Sequence, residues 1–316
     1  MHKTVGWGVL VPLGRNLWAE SAAADHLRFD ERLWRRLSEE YRACGANLLV
    51  FDLAEGLEYP SHPELAVKGS WSADKLRDEL RRLRGMGFEV VPKVNLSTAH
   101  DVWLGPYERM VSTAEYYAVV TDILKDVSEI FDRPRLFHLG WDEEEKDCYQ
   151  KTYDYFVRRQ GELWWQDLFR FANTVERLGS RPWIWCDQVW YDPEAFYRKM
   201  PKSILQSPWF YGYKGAPVDP RVSKDVVCYA ELARAGYDIL PCAGNCYGNN
   251  DNFRQTADYC RKNLPHERVK GFLYAAWCAL TSDAKRDTHG RTAEERHFAS
   301  PGQIAAAIRA WQAEGR

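Results

Sequence analysis

Eight short apolar runs, each followed by an amphipathic or charged stretch, recur from one end of the chain to the other. That alternation is the mark of βα units and of a parallel sheet. Strands are expected at Gly8–Val11, Asn47–Phe51, Phe88–Pro92, Leu136–Gly140, Trp183–Cys186, Ile204–Gln206, Ile239–Leu240 and Phe272–Ala275. Helix signals fall between them. Asp30 caps a run carrying Leu33, Trp34, Leu37 and Tyr41 at helical spacing, and Ser72 caps a charged run through Leu76, Leu80 and Leu83. Ser112 or Thr113 opens a helix to about Ile130, and Tyr153–Leu178 reads as one long helix. Short helices are expected at Pro193–Lys199, Thr256–Asn263 and Gln303–Trp311, while Val226–Ala235 mixes strand and helix character. No linker, low-complexity segment or charge block divides the 316 residues. The expected fold is therefore α/β, a single (β/α)8 TIM barrel over residues 1–316 with no accessory domain.

Composition narrows the functional classes. The 43 basic and 45 acidic residues leave a net charge of -2, which offers no basic footprint for nucleic acid and no polybasic membrane patch. No apolar run reaches 18 residues, and the opening MHKTVGWGVLVPLGRN is too short and interrupted for a signal peptide. The sequence as it stands is expected to be cytoplasmic, although a removed leader would leave no trace in it. The 8 Cys are scattered, several within apolar runs, and read as buried free thiols. Cys242-x3-Cys246 has no companion Cys/His pair at zinc spacing and is read as structural. With 14 Trp, 17 Tyr and 13 Phe the chain is rich in rings, many beside polar residues at strand ends, where a ring face can meet the C–H face of a sugar.

In a (β/α)8 barrel, chemistry gathers where strands turn into loops at the C-terminal face. Polar and aromatic residues fall there in this chain: Arg15, Asp52 and Glu55, Asn95 and His100, Asp142 and Glu143, Asp187, Trp209, Asn245 and Tyr247, and Trp277. The fourth run, Phe137-His138-Leu139-Gly140-Trp141-Asp142-Glu143-Glu144, leaves an apolar core and ends in adjacent carboxylates. Two such acids can divide the work, one staying ionised while the other donates a proton. The plainer reading is that residues 142–145 open a helix, where acids suit the positive end of the dipole. Glu144 and Glu145 fit that plainer reading best, as solvated acids. His138 lies within a strand and reads as a core histidine that orients its neighbours. His138, Asp142 and Glu143 lack a second His at helical spacing, so neither a metal nor a cofactor is expected. No Gly-x-Ser-x-Gly element and no Gly-rich phosphate loop is present.

These residues resemble the catalytic barrel of the family 20 glycoside hydrolases, the β-N-acetylhexosaminidases, and the match runs in order along nearly the whole chain. HLGWDE at 138–143 is similar to that family's His-x-Gly-Gly-Asp-Glu signature. GFEVVPKVNLSTAH at 87–100 resembles its third-strand segment ending in a substrate-binding His, and GVLVPLGRN at 8–16 its first-strand segment with a sugar-gripping Arg. WIWCDQ at 183–188 is similar to its fifth-strand Trp-x-Asp/Glu element, and Tyr247 and Trp277 stand where it keeps a Tyr and a Trp.

The resemblance implies a retaining exo-glycosidase working by substrate-assisted catalysis on a small carbohydrate or glycoconjugate. Asp142 would orient the acetamido group, with Tyr247 holding its oxygen, and Glu143 would act as acid and then base. Neighbours on an extended strand end point in different directions, which would let the two acids face different parts of the sugar. Arg15, His100, Trp185, Asp187, Trp209, Tyr247 and Trp277 would bind substrate, with His138, Trp141 and Asn95 behind them.

Departures from the pattern are plain. Trp141 replaces a glycine and adds bulk beside the acids. Pro12, Lys93, Asn95 and Ala279 stand where sugar-binding or neighbouring acids are expected. Two alternatives stay open: a barrel glycosidase acting without a 2-acetamido group, with Asp187 or Glu55 as base or nucleophile, and a non-catalytic glycan-binding barrel.

Overall fold

A computed structural model describes residues 5–14, 25–144, 157–221 and 223–313. Arg15, Glu145 and the first residues of the helix expected from Tyr153 lie outside the described residues.

Eight parallel strands run β1 (Gly6–Pro12), β2 (Leu48–Asp52), β3 (Glu89–Lys93), β4 (Leu136–His138), β5 (Arg181–Trp185), β6 (Leu205–Ser207), β7 (Cys242–Ala243) and β8 (Gly271–Tyr274). Their hydrogen-bonded order is β6-β5-β4-β3-β2-β1-β8-β7. The remaining seam is bridged where Gln206 meets Ile239 and Trp209 meets Cys242. There Leu240 N–H donates to Gln206 O at 2.9 Å and Cys242 N–H to Pro208 O at 2.8 Å. The expected (β/α)8 barrel is what forms.

The helices around it are α1 (Glu31–Ala43), α2 (Ala73–Gly85), α3 (Ala114–Ile130), α4 (Glu162–Arg177), α5 (Pro193–Lys199), α6 (Lys224–Arg234), α7 (Asn252–Asn263), α8 (Ala293–Phe298) and α9 (Ser300–Gln312), with a single helical turn at Gln188–Tyr191. Three begin at expected caps. The Asp30 carboxylate accepts from Arg32 and Leu33 N–H, Ser72 Oγ from Lys75 N–H, and Thr113 Oγ1 from Tyr116 N–H. Each satisfies donors that the first helical turn leaves open. Among the described residues no helix is long and apolar enough to cross a membrane.

Period-two alternation sorts each strand into two faces. Leu49, Phe51 and Val90 pack outward against the helices in the larger apolar cluster. Leu48, Val50, Val91, Leu136, Trp183, Trp185, Leu205 and Leu273 fill the barrel. Each fully buried aliphatic side chain contributes about 1.5–3 kcal/mol. The inward face changes character toward the strand C-termini, where Asp52, Lys93 and His138 take the next inward positions and are buried with them. The barrel is thus apolar at its floor and polar under its mouth.

Several boundaries differ from expectation. Strand seven is Cys242–Ala243, not Ile239–Leu240; Ile239 makes isolated bridges to Gln206 and Val269 instead. The ambiguous stretch before it is wholly helical as α6, its Val226, Cys228, Tyr229 and Leu232 forming a buried stripe at helical spacing. The long helix starts at Glu162, after Gly161 at φ 54°, rather than at Tyr153. Strand four ends at His138, because Gly140 (φ 72°) and Trp141 (φ 79°) turn the chain out of the sheet.

Candidate active site

The fourth strand delivers its acids through a bend, not an extended tip. Gly140, Trp141 and Glu143 (φ 57°) all have left-handed backbone, so residues 142–145 open no helix at their described positions 142–144. Such conformations cost on the order of 1–3 kcal/mol for non-glycine residues and gather at functional sites. Glycine is required at position 140, where a Cβ would lie 1.9 Å from Asn95 Oδ1. The Trp141 ring turns toward the helix layer, 6.0 Å from Trp164 and 6.2 Å from Phe171. Its bulk is therefore on the outer side of the strand, not beside the acids as expected.

The bend brings Asp142 and Glu143 to one histidine. His100 Nε2 lies 3.3 Å from Asp142 Oδ2 and 3.2 Å from Glu143 Oε2, within ion-pair range though without a well-aligned hydrogen bond to either. Asn95 Nδ2 donates to Asp142 Oδ1 at 3.1 Å, and Ser97 Oγ donates to Asp142 O. Asp187 Oδ2 accepts the Glu143 N–H at 2.7 Å, so its carboxyl braces the acid loop and makes no side-chain cap for the turn at Gln188–Tyr191. The Asp142 side chain is 10% exposed and that of Glu143 27%, so Glu143 is the more open to an incoming molecule.

The electrostatics separate three carboxyls by environment. Burial opposes ionisation of Asp142, but the charge and contact of His100, with Lys93 and the Asn95 amide, outweigh it and hold Asp142 down at about 2. Burial likewise works against His100, yet Asp142 and Glu143 raise it to about 10. Asp187 goes the other way. Burial first, and then the nearby charge of Asp142, push it well above the usual carboxylate range. Asp52 accepts from buried Lys93 Nζ at 2.6 Å, and burial still raises its carboxyl. One carboxyl held low, Asp142, and one pushed up, Asp187, flank Glu143, the kind of divided pair that acid–base chemistry uses.

His100, Asp142 and Glu143 also bring donor atoms within 4.8 Å of one another, a spacing that a cation could bridge. His138 is not part of this group. Its Nδ1 accepts from Gly140 N–H at 2.9 Å, burial lowers its basicity strongly, and its ring packs 4.6 Å from Trp183 and 4.5 Å from Trp185.

Aromatic residues form a connected wall. Trp185 lies 5.8 Å from Trp277, Trp277 6.3 Å from Tyr211, and Tyr211 5.7 Å from Trp209 and 6.5 Å from Tyr247. Tyr247 is 39% exposed and close enough to Glu143 to feel its charge. Trp277 holds a strained φ of 49° and stands 6.0 Å from Lys93 Nζ. Glu55 is buried at 2% exposure, and Asn245 is buried with its amide donating to Arg296 O.

The expected residues Asn95, His100, Asp142, Glu143 and Asp187 thus meet directly, and Trp185, Trp209, Tyr247 and Trp277 share one wall. Sequence reasoning missed Tyr211, whose signal was its place two residues beyond Trp209 after strand six. It also misread Glu144, which is no solvated acid. Glu144 is 5% exposed, accepts from Thr98 N–H at 2.9 Å and pairs with buried Arg159 at 2.5 Å.

No protein-family model matches the chain, and no curated protein sequence matches it. Solved structures do. A β-N-acetylhexosaminidase from Bacteroides fragilis superposes with a TM-score of 0.63 at 14% identity, over 95% of this chain and 64% of that one.

The chain resembles the catalytic barrel of the family 20 glycoside hydrolases.

A GH20 exo-β-N-acetylglucosaminidase from Vibrio harveyi in complex with N-acetylglucosamine gives 0.60 at 12% identity, over 96% and 58%. Dispersin B gives 0.57 at 14% identity, over 97% and 98%. At these identities the likeness is one of fold, and the chain spans under two thirds of the Bacteroides and Vibrio proteins.

Proposed function

We propose that this barrel is a glycoside hydrolase of the β-N-acetylhexosaminidase kind, retaining and exo-acting, with Asp142 and Glu143 as its catalytic pair. The observation that carries the reading is the convergence of both acids on His100 beside a wall of indole and phenol rings. The names borne by the proteins of similar fold support the same substrate class, a small carbohydrate or glycoconjugate with a 2-acetamido group.

In the first step the substrate's acetamido oxygen attacks C1 as the bond from C1 to the leaving oxygen breaks. Glu143 gives its proton to that oxygen. Positive charge then builds on the acetamido nitrogen of the cyclic oxazolinium, where ionised Asp142 stabilises it. In the second step water attacks C1, Glu143 takes its proton, and the ring opens with configuration retained. Tyr247 holds the acetamido oxygen, while Trp185, Trp209 and Trp277 offer ring faces to the sugar. His100, bearing a proton between both acids, keeps Asp142 ionised through the cycle.

A base or nucleophile at Asp187 or Glu55 is disfavoured. Burial pushes the Asp187 carboxyl above the usual range and its Oδ2 is taken up by the Glu143 N–H, and Glu55 is buried.

The test is a panel of nitrophenyl glycosides that includes N-acetylglucosaminide, N-acetylgalactosaminide and sulfated forms, run beside Glu143→Gln. Release from a 2-acetamido glycoside by the wild type, and its near loss in the variant, are expected. Binding of glycans with no turnover across the panel would replace the enzyme with a non-catalytic barrel.

A further inference from the structure

Behind the acid loop, on its helix side, Arg159 forms a buried ionic network that the chemistry above does not use. The guanidinium is 0% exposed, as is the Asp167 side chain, and that of Glu144 is 3% exposed. Its Nη1 donates both to Glu144 Oε1 at 2.5 Å and to Leu96 O at 3.1 Å. Its Nε donates to Asp167 Oδ2 on α4 at 2.8 Å, and its Nη2 to Tyr116 Oη on α3 at 2.9 Å. Its plane lies 4.4 Å from the Trp141 ring. Asp167 is itself fixed by Ser112 Oγ at 2.7 Å and Tyr117 Oη at 2.6 Å.

One nitrogen of Arg159 therefore grips the two segments that carry the chemistry. Leu96 belongs to the loop bearing Asn95, Ser97 and His100, and Glu144 directly follows Asp142 and Glu143. The same two segments touch elsewhere through Leu96 N–H to Leu139 O at 2.9 Å and Thr98 N–H to Glu144 Oε1 at 2.9 Å. Buried ionic networks are weak contributors to net stability, because the desolvation of each charge offsets most of the attraction. A five-donor fork is well suited to holding several acceptors in a fixed geometry. Trp141 and Glu143 are backbone-strained, and strain of this kind persists only where the surroundings over-determine it.

We propose that Arg159 is a positioning residue that locks the loop after β3 to the bend after β4, so that His100 meets Asp142 and Glu143 together. The consequence for turnover rests on the proposed function, but the consequence for His100 does not. His100 faces Asp142 and Glu143 from the bend, with Asp52 of β2 as a further charge nearby and Lys93 beside Asp142.

The experiment compares wild type with Arg159→Gln and Arg159→Lys. The lysine keeps charge and stem but cannot reach all four acceptors, and it decides the matter should the glutamine variant fail to fold. Asp238→Asn, at the opposite end of the barrel, controls for general destabilisation. Two quantities are read: the imidazole titration of His100 by NMR, and kcat and KM on the best aryl glycoside. The expected result is a His100 titration that falls from about 10 toward the ordinary histidine range in the Arg159 variants and stays put in Asp238→Asn. With it, kcat drops on the order of 10²-fold while KM moves little, as a misplacement of about 1 Å would produce. A folded Arg159 variant whose His100 titrates as in wild type, with unchanged kcat, overturns the proposal. Should the wild type turn over no glycoside, the proposed function falls and the His100 titration still decides the role of Arg159.

Discussion

At the N-terminal end of the barrel, Asp238 accepts from Arg181 at 2.8 Å and lies 3.2 Å from Lys270 and 3.5 Å from Arg268, with all four side chains 18–40% exposed. Glu89 there takes a bidentate pair of bonds from Arg135, both at 2.9 Å and both exposed. At the C-terminal end, Asp52, Lys93, His100, Asp142 and Asp187 are buried, and Asp52 Oδ1, His100 Nδ1 and Asp187 Oδ1 have no hydrogen-bond partner among the described residues. Trp141, Glu143 and Trp277 have left-handed backbone at that end, although Asp132 and Arg133, before β4, have it at the other end too. Charges near water are cheaply placed and contribute little to stability. Buried, half-paired charges are costly, and a fold tolerates them where they do something other than hold it together. The difference between the ends is the strongest physical reason for seeking the chemistry at the mouth.

That comparison breaks most readily at Glu143. Glu143→Gln is expected to lower turnover by about 10²–10⁴-fold, the usual contribution of a positioned acid–base group, with the thermal midpoint unchanged. Asp142→Asn should lose activity comparably, because a neutral amide cannot offset the charge on the oxazolinium.

The next largest effect is on stability against pH. His100 is raised from 6.5 to about 10 in the folded state, so its contribution is fully present below pH 6.5 and fades as pH climbs toward 10. Asp142 is lowered from 3.8 to about 2, so its contribution is present above 3.8 and fades as pH falls toward 2. A tenfold change in proton affinity on folding corresponds to about 1.4 kcal/mol. Denaturation across pH should show both limbs in wild type, and His100→Gln should flatten the alkaline one.

Asp187→Asn sharpens the contrast between two acids of one site. Because burial raises the Asp187 carboxyl, ionising it costs stability as pH rises above 3.8. The amide keeps an acceptor for the Glu143 N–H and carries no charge. Stability at neutral pH should hold or rise, and most activity should remain, by denaturant melts and initial rates. The smallest effect belongs to the other end: Asp238→Asn should cost no more than about 1 kcal/mol and leave kcat alone.

The parallel barrel was legible because most strands sit in short apolar runs and because Asp30, Ser72 and Thr113 announce their helices. Strand seven was not, since two paired residues leave almost no periodic signal and Ile239-Leu240 is the more apolar neighbour. The acids, His100 and the Trp wall were legible because strand C-termini project loop residues to one face. The inner pairing of Glu144 with Arg159 was not, because it joins residues 15 apart in sequence and no local pattern signals such a pairing. The bend at Gly140 and Trp141 was also hidden. Tryptophan gives no sign of left-handed backbone, and only the nearby Asn95 side chain explains why position 140 must lack a Cβ.

The most direct measurement is inhibition by a sugar-fused thiazoline, a stable copy of the cyclic oxazoline. Competitive inhibition far tighter than the substrate's KM is expected, weakened sharply in Asp142→Asn, as befits a mimic of a species bound chiefly near the transition state. An enzyme that cleaves 2-acetamido glycosides at full rate while a saturating thiazoline leaves it untouched would contradict the assignment of Asp142 and Glu143 to substrate-assisted catalysis.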